Sequence, residues 1–444
     1  MHERERTESV ASERAVLARI VLANQRNEVD PLEEVAGLAT TAGATVVGGL
    51  TQRREKPDSA TCMGRGKVRE LAGLVGEQEA DMVVFDNDLT PGQIRNLEKA
   101  LTVKVLDRTE LILDIFATHA RTYESRLAVE LAQLEYSLPR LKRMWTHLSR
   151  IKLGVGMRGP GEKQLEVDRR LVERRIHELR SELRGIERRK ERQVAGRRGH
   201  MTVSVVGYTN AGKSTLMNRL TAADVSVEDK LFATLDTRTR RWQLPNWGPV
   251  LLSDTVGFIR DLPHRLIASF KATLEEARQA DLLLHVADAS SPAVLDQISA
   301  VYHVLEEIGI REKDTLLVLN KLDNLDSQQQ LEGVLRRYPK AIPLSARTGQ
   351  ATDQLAVSVS DALSRTFPDV DVETGVENGR LMAFLARHGE ILSKRYNGLR
   401  VNIHCRLPWK YLGRIPEDEA VITSRDGATQ PEASSDDGAV EDVA

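Results

Sequence analysis

Met201–Ser214, MTVSVVGYTNAGKS, is the stretch on which the fold turns. A β-branched run at Val203, Val205 and Val206 enters a glycine-rich turn. The turn, Gly207-Tyr208-Thr209-Asn210-Ala211-Gly212-Lys213-Ser214, has the form G-x-x-x-x-G-K-S. Leu216, Met217 and Leu220 then recur at helical spacing. Strand, loop and helix in that order are the context a phosphate-binding loop requires. Gly207 and Gly212 let the backbone bend tightly and turn its N–H groups inward, and the helix that follows adds its positive end. Lys213 offers a mobile cation to the β- and γ-phosphates, and Ser214 offers a hydroxyl to Mg²⁺.

Outward from this loop, strand patterns recur at Val203–Val206, Val250–Leu252, Leu282–Ala287, Thr315–Leu319 and Ala341–Pro343. Helical patterns lie between most of them, for example Ala268–Arg278 and Val294–Ile308. The expectation is a doubly wound α/β domain over residues 199–366, with its ligand at the carboxyl ends of the strands. Asp254-Thr255-Val256-Gly257, a D-x-x-G, ends one strand: the carboxylate can hold a Mg²⁺-bound water and the Gly257 N–H can reach a γ-phosphate. Asn320-Lys321-Leu322-Asp323, an N-K-x-D, ends another. The Asp323 carboxylate can accept from both N1–H and the exocyclic amine of guanine, a donor pair that adenine lacks. Asn320 braces that loop, Lys321 lies over the base, and a backbone N–H of Ser345-Ala346-Arg347 can meet guanine O6. Four signals in this order point to a GTPase, with GTP as substrate, Mg²⁺ as cofactor, and Lys213 and Gly257 as catalytic groups.

The stretch Leu231–Arg240 must supply a threonine that closes on Mg²⁺, and Thr234, Thr237 and Thr239 all compete for that role. Phe258 follows Gly257 where many enzymes of this class place a water-orienting glutamine, and a phenyl ring cannot orient water. Slow hydrolysis by the isolated chain, with a partner organising the attack, is the expectation.

A length of 444 residues suggests two to four domains, and a net charge of −2 gives no global argument for nucleic acid. The two cysteines, Cys62 and Cys405, form no metal-like spacing and no disulfide framework. The first residues are charged without an apolar signal core, and no apolar run approaches a membrane span. A cytoplasmic protein, monomeric when free, is expected.

Strand and helix patterns alternate over residues 15–122, which predicts a small, mainly parallel α/β domain. Gly64-Arg65-Gly66-Lys67 opens a helix there and reads better as a turn than as an anion site. Residues 123–198 are built differently. Leu127, Leu131, Leu134, Leu138, Leu141, Trp145 and Leu148 make one apolar seam, and Val172, Ile176, Leu179, Leu183 and Ile186 make a second. Pro139 interrupts the first. Gly154-Val155-Gly156-Met157-Arg158-Gly159-Pro160-Gly161 reverses the chain between them. The product is an antiparallel helical hairpin with arms of roughly 35–40 Å. Pro139–His200 carries 19 Lys/Arg against 8 Asp/Glu. This one-sided charge favours a structured RNA, met at the tip by Gly154, Gly156, Arg158, Gly159, Gly161 and Lys163, and along the arm by Arg169, Arg170, Arg174 and Arg175.

Together GVGMRGPGEKQLEVDRR (residues 154–170), GYTNAGKSTLMNRL, LFATLDTRTRR, DTVGFIRDLP, NKLD and SAR resemble the HflX family of ribosome-associated GTPases over about residues 15–365, including Pro57-Asp58 and the run Pro91–Glu98. The resemblance implies binding to the large ribosomal subunit and its RNA near the peptidyl-transferase centre, and GTP-dependent splitting of stalled ribosomes or an assembly role. It puts the Mg²⁺ threonine at Thr234 and places Phe232, Ala233, Thr234, Leu235 and Asp236 with the nucleotide. Lys163 departs from the family, which usually has threonine there. The first domain of some members takes a second nucleotide; no loop for one is seen here. Beyond the resemblance, residues 367–415 predict a small α/β appendage, with an amphipathic helix through Leu381, Phe384 and Leu385. Residues 416–444 predict a disordered acidic tail. Two other classes remain open: a GTP-switched RNA-binding module that remodels nothing, and a partner in RNA modification.

Overall fold

The computed structural model describes residues 12–22, 30–140, 161–196, 201–221, 231–232, 238–245, 248–260, 276–310, 314–325, 327–364, 367–416 and 419–425. The chain divides into two compact units, one of residues 1–197, 202–240 and 252–350, the other of 198–201, 241–251 and 351–444. The cut at residue 350 leaves the helix Thr352–Ser364, expected with the nucleotide domain, in the second unit.

The first unit opens with β1 (Arg14–Leu22), α1 (Glu33–Thr41), β2 (Thr45–Arg54), α2 (Arg65–Glu77), β3 (Met82–Phe85), α3 (Pro91–Leu101), β4 (Lys104–Asp107) and α4 (Arg108–His119). The sheet runs β2-β1-β3-β4 and every pairing is parallel, as the alternating patterns predicted. Parallel strands covered on both faces read as continuous apolar runs, and AVLARIVL is one but for Arg19, which pairs with Asp86 at 3.2 Å. Its residues alternate between two cores. Val16, Ala18 and Ile20 pack with α2 and α3, while Ala15 and Leu17 pack with α1 and α4. Gly64 caps α2, and its N–H donates to Gln52 Oε1 at 2.9 Å, so the glycine-arginine stretch is a turn and helix start.

The α5 helix (Tyr123–Ser137) ends in a 3-10 turn at Leu138–Arg140, where Pro139 stops it. The α6 helix (Gly161–Gly196) is one continuous run of 36 residues, ~54 Å long and longer than the expected arm. Leu127 and Leu131 of α5 and Ile176, Leu179 and Leu183 of α6 are buried in a shared core. Pairs across the seam, Arg175–Glu130 at 2.8 Å, Arg180–Glu135 at 2.8 Å and Lys190–Glu124 at 2.5 Å, set the register of the two helices. The tip residues Gly154, Gly156, Arg158 and Gly159 lie outside the described residues, as do residues 141–148.

The nucleotide domain contributes β5 (Thr202–Gly207), α7 (Lys213–Thr221), β6 (Arg238–Leu244), β7 (Gly248–Asp254), β8 (Leu282–Asp288), α8 (Val294–Glu307), β9 (Thr315–Asn320), α9 (Gln328–Arg337) and β10 (Ile342–Pro343). The sheet order is β10-β9-β8-β5-β7-β6, with β5, β8, β9 and β10 parallel; residues 252–254 of β7 and 238–240 of β6 fall in this unit. All five expected strands are present. The β6 strand is additional, and the helix expected at Ala268–Arg278 lies mostly outside the described residues.

In the second unit, α10 (Thr352–Ser364) precedes an antiparallel sheet, β12-β13-β11-β14, formed by β11 (Asp369–Gly375), β12 (Glu390–Asn397), β13 (Arg400–Arg406) and β14 (Ala420–Ser424). Leu381 and Leu385 of α11 (Gly379–His388) cover Val370, Val372, Val401 and Ile403. The α12 turn (Trp409–Leu412) leads towards β14. That strand corrects the expected tail: Ala420–Ser424 pairs with β11 instead of trailing as disordered chain. An edge strand with four of its five residues exposed leaves almost no apolar signature to read. Cys62 and Cys405 are buried and free, and among the described residues no helix is long and apolar enough to cross a membrane.

Candidate functional site

The phosphate loop has the backbone its sequence demanded. Gly207 (φ +153°), Asn210 (φ +59°) and Gly212 (φ +88°) take positive φ, and the Leu216 N–H bonds to Gly212 O to begin α7. The Lys213 ammonium is buried and donates to Gly207 O at 3.1 Å and Tyr208 O at 2.8 Å. Ser214 Oγ donates to Asp254 Oδ2 at 2.6 Å, which brings the two groups read as metal-binding together from α7 and the end of β7. A Cβ on Gly257 would lie 3.0 Å from Lys213 Nζ, so the D-x-x-G glycine stands directly beside the loop cation.

Burial pushes Lys213 down to about 8, against the opposing pull of Asp254. A phosphate arriving beside it favours the charged form. With the ammonium pushed down to about 8, Lys213 is mostly protonated at pH 7 and should gain a proton from solvent on binding at pH 9. Calorimetric titration of GDP in buffers of different ionisation enthalpy should show proton uptake growing from pH 7 to 9 and reaching most of a proton. Uptake that stays flat over that range would deny Lys213 its place beside the phosphates.

Asn320 holds together the segments read as the base side. Its Nδ2 donates to Ala211 O at 2.9 Å and its Oδ1 accepts from the Ala346 N–H at 2.9 Å, so one side chain ties the phosphate loop to Ser345-Ala346-Arg347. Lys321 (φ +66°) pairs with Asp288 at 2.8 Å. Leu322 and Asp323 begin a 3-10 turn, where Asp323 Oδ1 accepts from Ser345 Oγ at 2.5 Å and Oδ2 lies 3.9 Å from the Arg347 guanidinium. The Ala346 N–H is thus engaged by Asn320, and the Ser345 N–H by Gln350 O at 3.1 Å.

The other expected contacts fall partly outside the described residues. Ala233, Thr234, Leu235 and Asp236 lie outside the described residues, as does Thr237. Thr239 sits in β6 and donates to Glu276 at 3.4 Å. Phe232, expected with the nucleotide, is buried with its ring edge-on to Phe116 at 4.7 Å, because an apolar ring gains more in the core. Phe258 is buried in the same core, while its backbone exchanges bonds with Gly207 O (3.0 Å) and the Thr209 N–H (2.6 Å). Val256 is also buried there, and Thr255 Oγ1 donates to Val205 O at 2.7 Å, so both side chains serve the fold.

Along α6, Arg169, Arg170 and Arg174 are exposed, Arg169 beside Glu173 at 2.8 Å, and Arg175 faces α5 and Glu130. Arg175, expected on the RNA face, thus lends its charge to the helix pairing. Gly161 begins α6 and Lys163 lies in its first turn. The motifs gave no sign of the Tyr208 side chain's role. Its hydroxyl donates to Glu34 Oε2 of α1 at 2.6 Å and accepts from the Arg260 N–H at 2.8 Å.

Residues 29–117 match the family described as "GTP-binding GTPase N-terminal", 119–197 the "GTP-binding GTPase Middle Region", and 202–321 the "50S ribosome-binding GTPase". The protein "GTPase HflX" of Magnetococcus marinus is 46% identical over 387 residues, covering 86% of this chain and 89% of that protein. "GTPase HflX" of Escherichia coli is 47% identical over 374 residues, covering 84% and 88%. A crystal structure of a GTP-binding protein from Sulfolobus solfataricus in complex with GDP is 24% identical, with a TM-score of 0.42, covering 79% of this chain and 99% of that one. Because the family models match the N-terminal, middle and nucleotide regions in turn and the two HflX proteins cover most of the chain, the chain belongs to the HflX family and is a hydrolase acting on GTP.

Proposed function

We propose that this chain binds the large ribosomal subunit near the peptidyl-transferase centre and uses GTP binding and hydrolysis to split or rescue stalled ribosomes. One observation carries the reading. The hairpin and the nucleotide site share a single hydrophobic core. Leu127 and Leu131 of α5 and Ile176, Leu179 and Leu183 of α6 belong to it, and so do Tyr208, Phe232 and Phe258. A packed core passes on a shift at one end instead of absorbing it. The state of the nucleotide can therefore bias how the basic hairpin is presented to RNA. The matched description "50S ribosome-binding GTPase" supports the choice of partner.

Mg²⁺ would be held by Ser214 and Thr234, with Asp254 behind a bound water. The hard oxygen donors Ser214 and Asp254 already converge to 2.6 Å, and the metal would supply charge neutralisation at the phosphates. Among the described residues no group of three acidic, histidine or cysteine side chains could hold a metal alone, so phosphate oxygens complete the set. Because the Phe258 ring is buried and orients no water, hydrolysis by the isolated chain is slow and the subunit organises the attack.

Cosedimentation with large subunits tests this: retention with a non-hydrolysable GTP analogue should exceed retention with GDP. Deleting residues 155–160 should leave GTP binding intact and abolish the subunit-stimulated rate. Equal retention in both nucleotide states ends the switch reading, and equal stimulation after the deletion removes the tip from the mechanism. A chain that binds free subunits yet splits no ribosomes would favour assembly over rescue.

A further inference from the structure

Three segments around the nucleotide site touch the N-terminal α/β domain. At the start of the 231–240 stretch, the Leu231 N–H donates to Thr41 Oγ1 at 3.2 Å and the Phe232 ring packs on Phe116. In the phosphate loop, Tyr208 meets Glu34. In the stretch after Asp254, both polar groups of the Arg260 backbone are taken: its N–H by the Tyr208 hydroxyl, and its carbonyl by the Arg108 guanidinium at 2.8 Å. Arg108 also donates to Glu34 and to Asp86, and Arg19 supports Asp86 from 3.2 Å.

We infer that Glu34 and Arg108 are positioning residues of the GTP site: through Tyr208 and the Arg260 peptide they hold residues 254–260 in place before GTP arrives. The chemistry suits this role. Arg108 is 4% exposed and must satisfy two carboxylates and a carbonyl at once, a task for a planar fork of five donors that an ammonium could not match. Burial alone would raise the Glu34 carboxyl, but the charges of Arg108 and Arg260 and the Tyr208 hydroxyl outweigh it and hold it below the usual range. Glu34 therefore carries its charge against Arg108, and removing either one strands the other, so the pair resists loosening. Gly257, whose N–H is read as the γ-phosphate sensor, lies three residues before the anchored Arg260, beside Lys213. Anchoring one end of so short a segment limits where that N–H can go. A nucleotide with a γ-phosphate then pays less to order it, while one without gains nothing.

The test uses the full chain with nucleotides and no subunits, so its failure is separate from that of the ribosomal reading. Tyr208→Phe removes one hydroxyl. A non-hydrolysable GTP analogue should weaken about tenfold more than GDP does, the scale of the bond lost to the Arg260 N–H. Amide exchange across 254–260 should rise. Glu34→Gln, which keeps an acceptor for Tyr208, should give a smaller loss in the same direction, and it carries the test if Tyr208→Phe does not fold. Equal weakening of both nucleotides, a tighter GTP analogue, or unchanged affinities with unchanged exchange would each overturn the assignment.

Discussion

Asp323→Asn will bind xanthosine diphosphate in preference to GDP, with GDP affinity falling by about 10³-fold or more. Guanine presents two donors, N1–H and the exocyclic amine, to a carboxylate that accepts twice. Xanthine replaces the amine with a carbonyl, so it needs a donor where guanine needs an acceptor. The Ser345 hydroxyl, which already accepts from the Thr348 N–H at 3.2 Å, favours one facing of the new amide. Ser345 Oγ donates to Asp323 Oδ1 at 2.5 Å, so an amide oxygen takes that bond and the amide nitrogen turns to the other side, near Arg347 at 3.9 Å. The nitrogen is then the donor that xanthine lacks in the parent. Ser345→Ala in the same background removes the bond that sets the orientation and should erode the new preference. Equilibrium titration with fluorescent GDP and XDP measures both. An Asp323→Asn chain that still prefers guanosine would mean that the base is not read at this carboxylate.

What could be read in advance was whatever is local. The loop, D-x-x-G and N-K-x-D each fall at the end of a strand with a local apolar run, and S-A-R follows the two-residue β10, in the places expected. The seam of α6 and the part of the first seam before Pro139 were legible for the same reason, since spacings of three and four repeat there. The β6 strand was not, because Arg238-Thr239-Arg240-Arg241 precedes its two buried residues, Trp242 and Leu244, and charge hides the alternation. The α4 helix buries Leu111, Ile112, Leu113, Ile115 and Phe116 almost all round, so no single stripe marks it as a helix. The contacts of Tyr208 were beyond reach. Glu34 is 174 positions away, and nothing within either segment announces that a tyrosine in a phosphate loop will find a carboxylate in another domain. Arg175 is the same lesson in charge: its partner Glu130 is 45 positions distant, so a count of basic residues assigns it to solvent.

Gly207→Ala should destabilise the nucleotide domain by about 3–5 kcal/mol, near the top of the range for single substitutions. Two independent costs coincide. The backbone at φ +153° is a conformation that residues with a side chain rarely adopt. A Cβ there would also lie 2.1 Å from Val286 O, with Val286 C and N at 3.1 and 3.2 Å. These are main-chain atoms of the strand directly paired with β5, Gly207 opposite Val286, so no rotamer change relieves the overlap. The strands must part, and with them moves the Gly207 carbonyl that accepts from both Lys213 and the Phe258 N–H. Stability and nucleotide affinity should therefore fall together. Differential scanning calorimetry of the full chain, reading the transition that GDP raises, should show a drop of about 10 °C. Gly333→Ala is the control: it sits in α9 with nothing within 4 Å of its added Cβ, and should be neutral or gain up to about 1 kcal/mol. If Gly207→Ala melts with the parent and keeps its GDP, the β5–β8 pairing yields at that point, and the tight approach of the loop to the sheet is not what holds Lys213 in place.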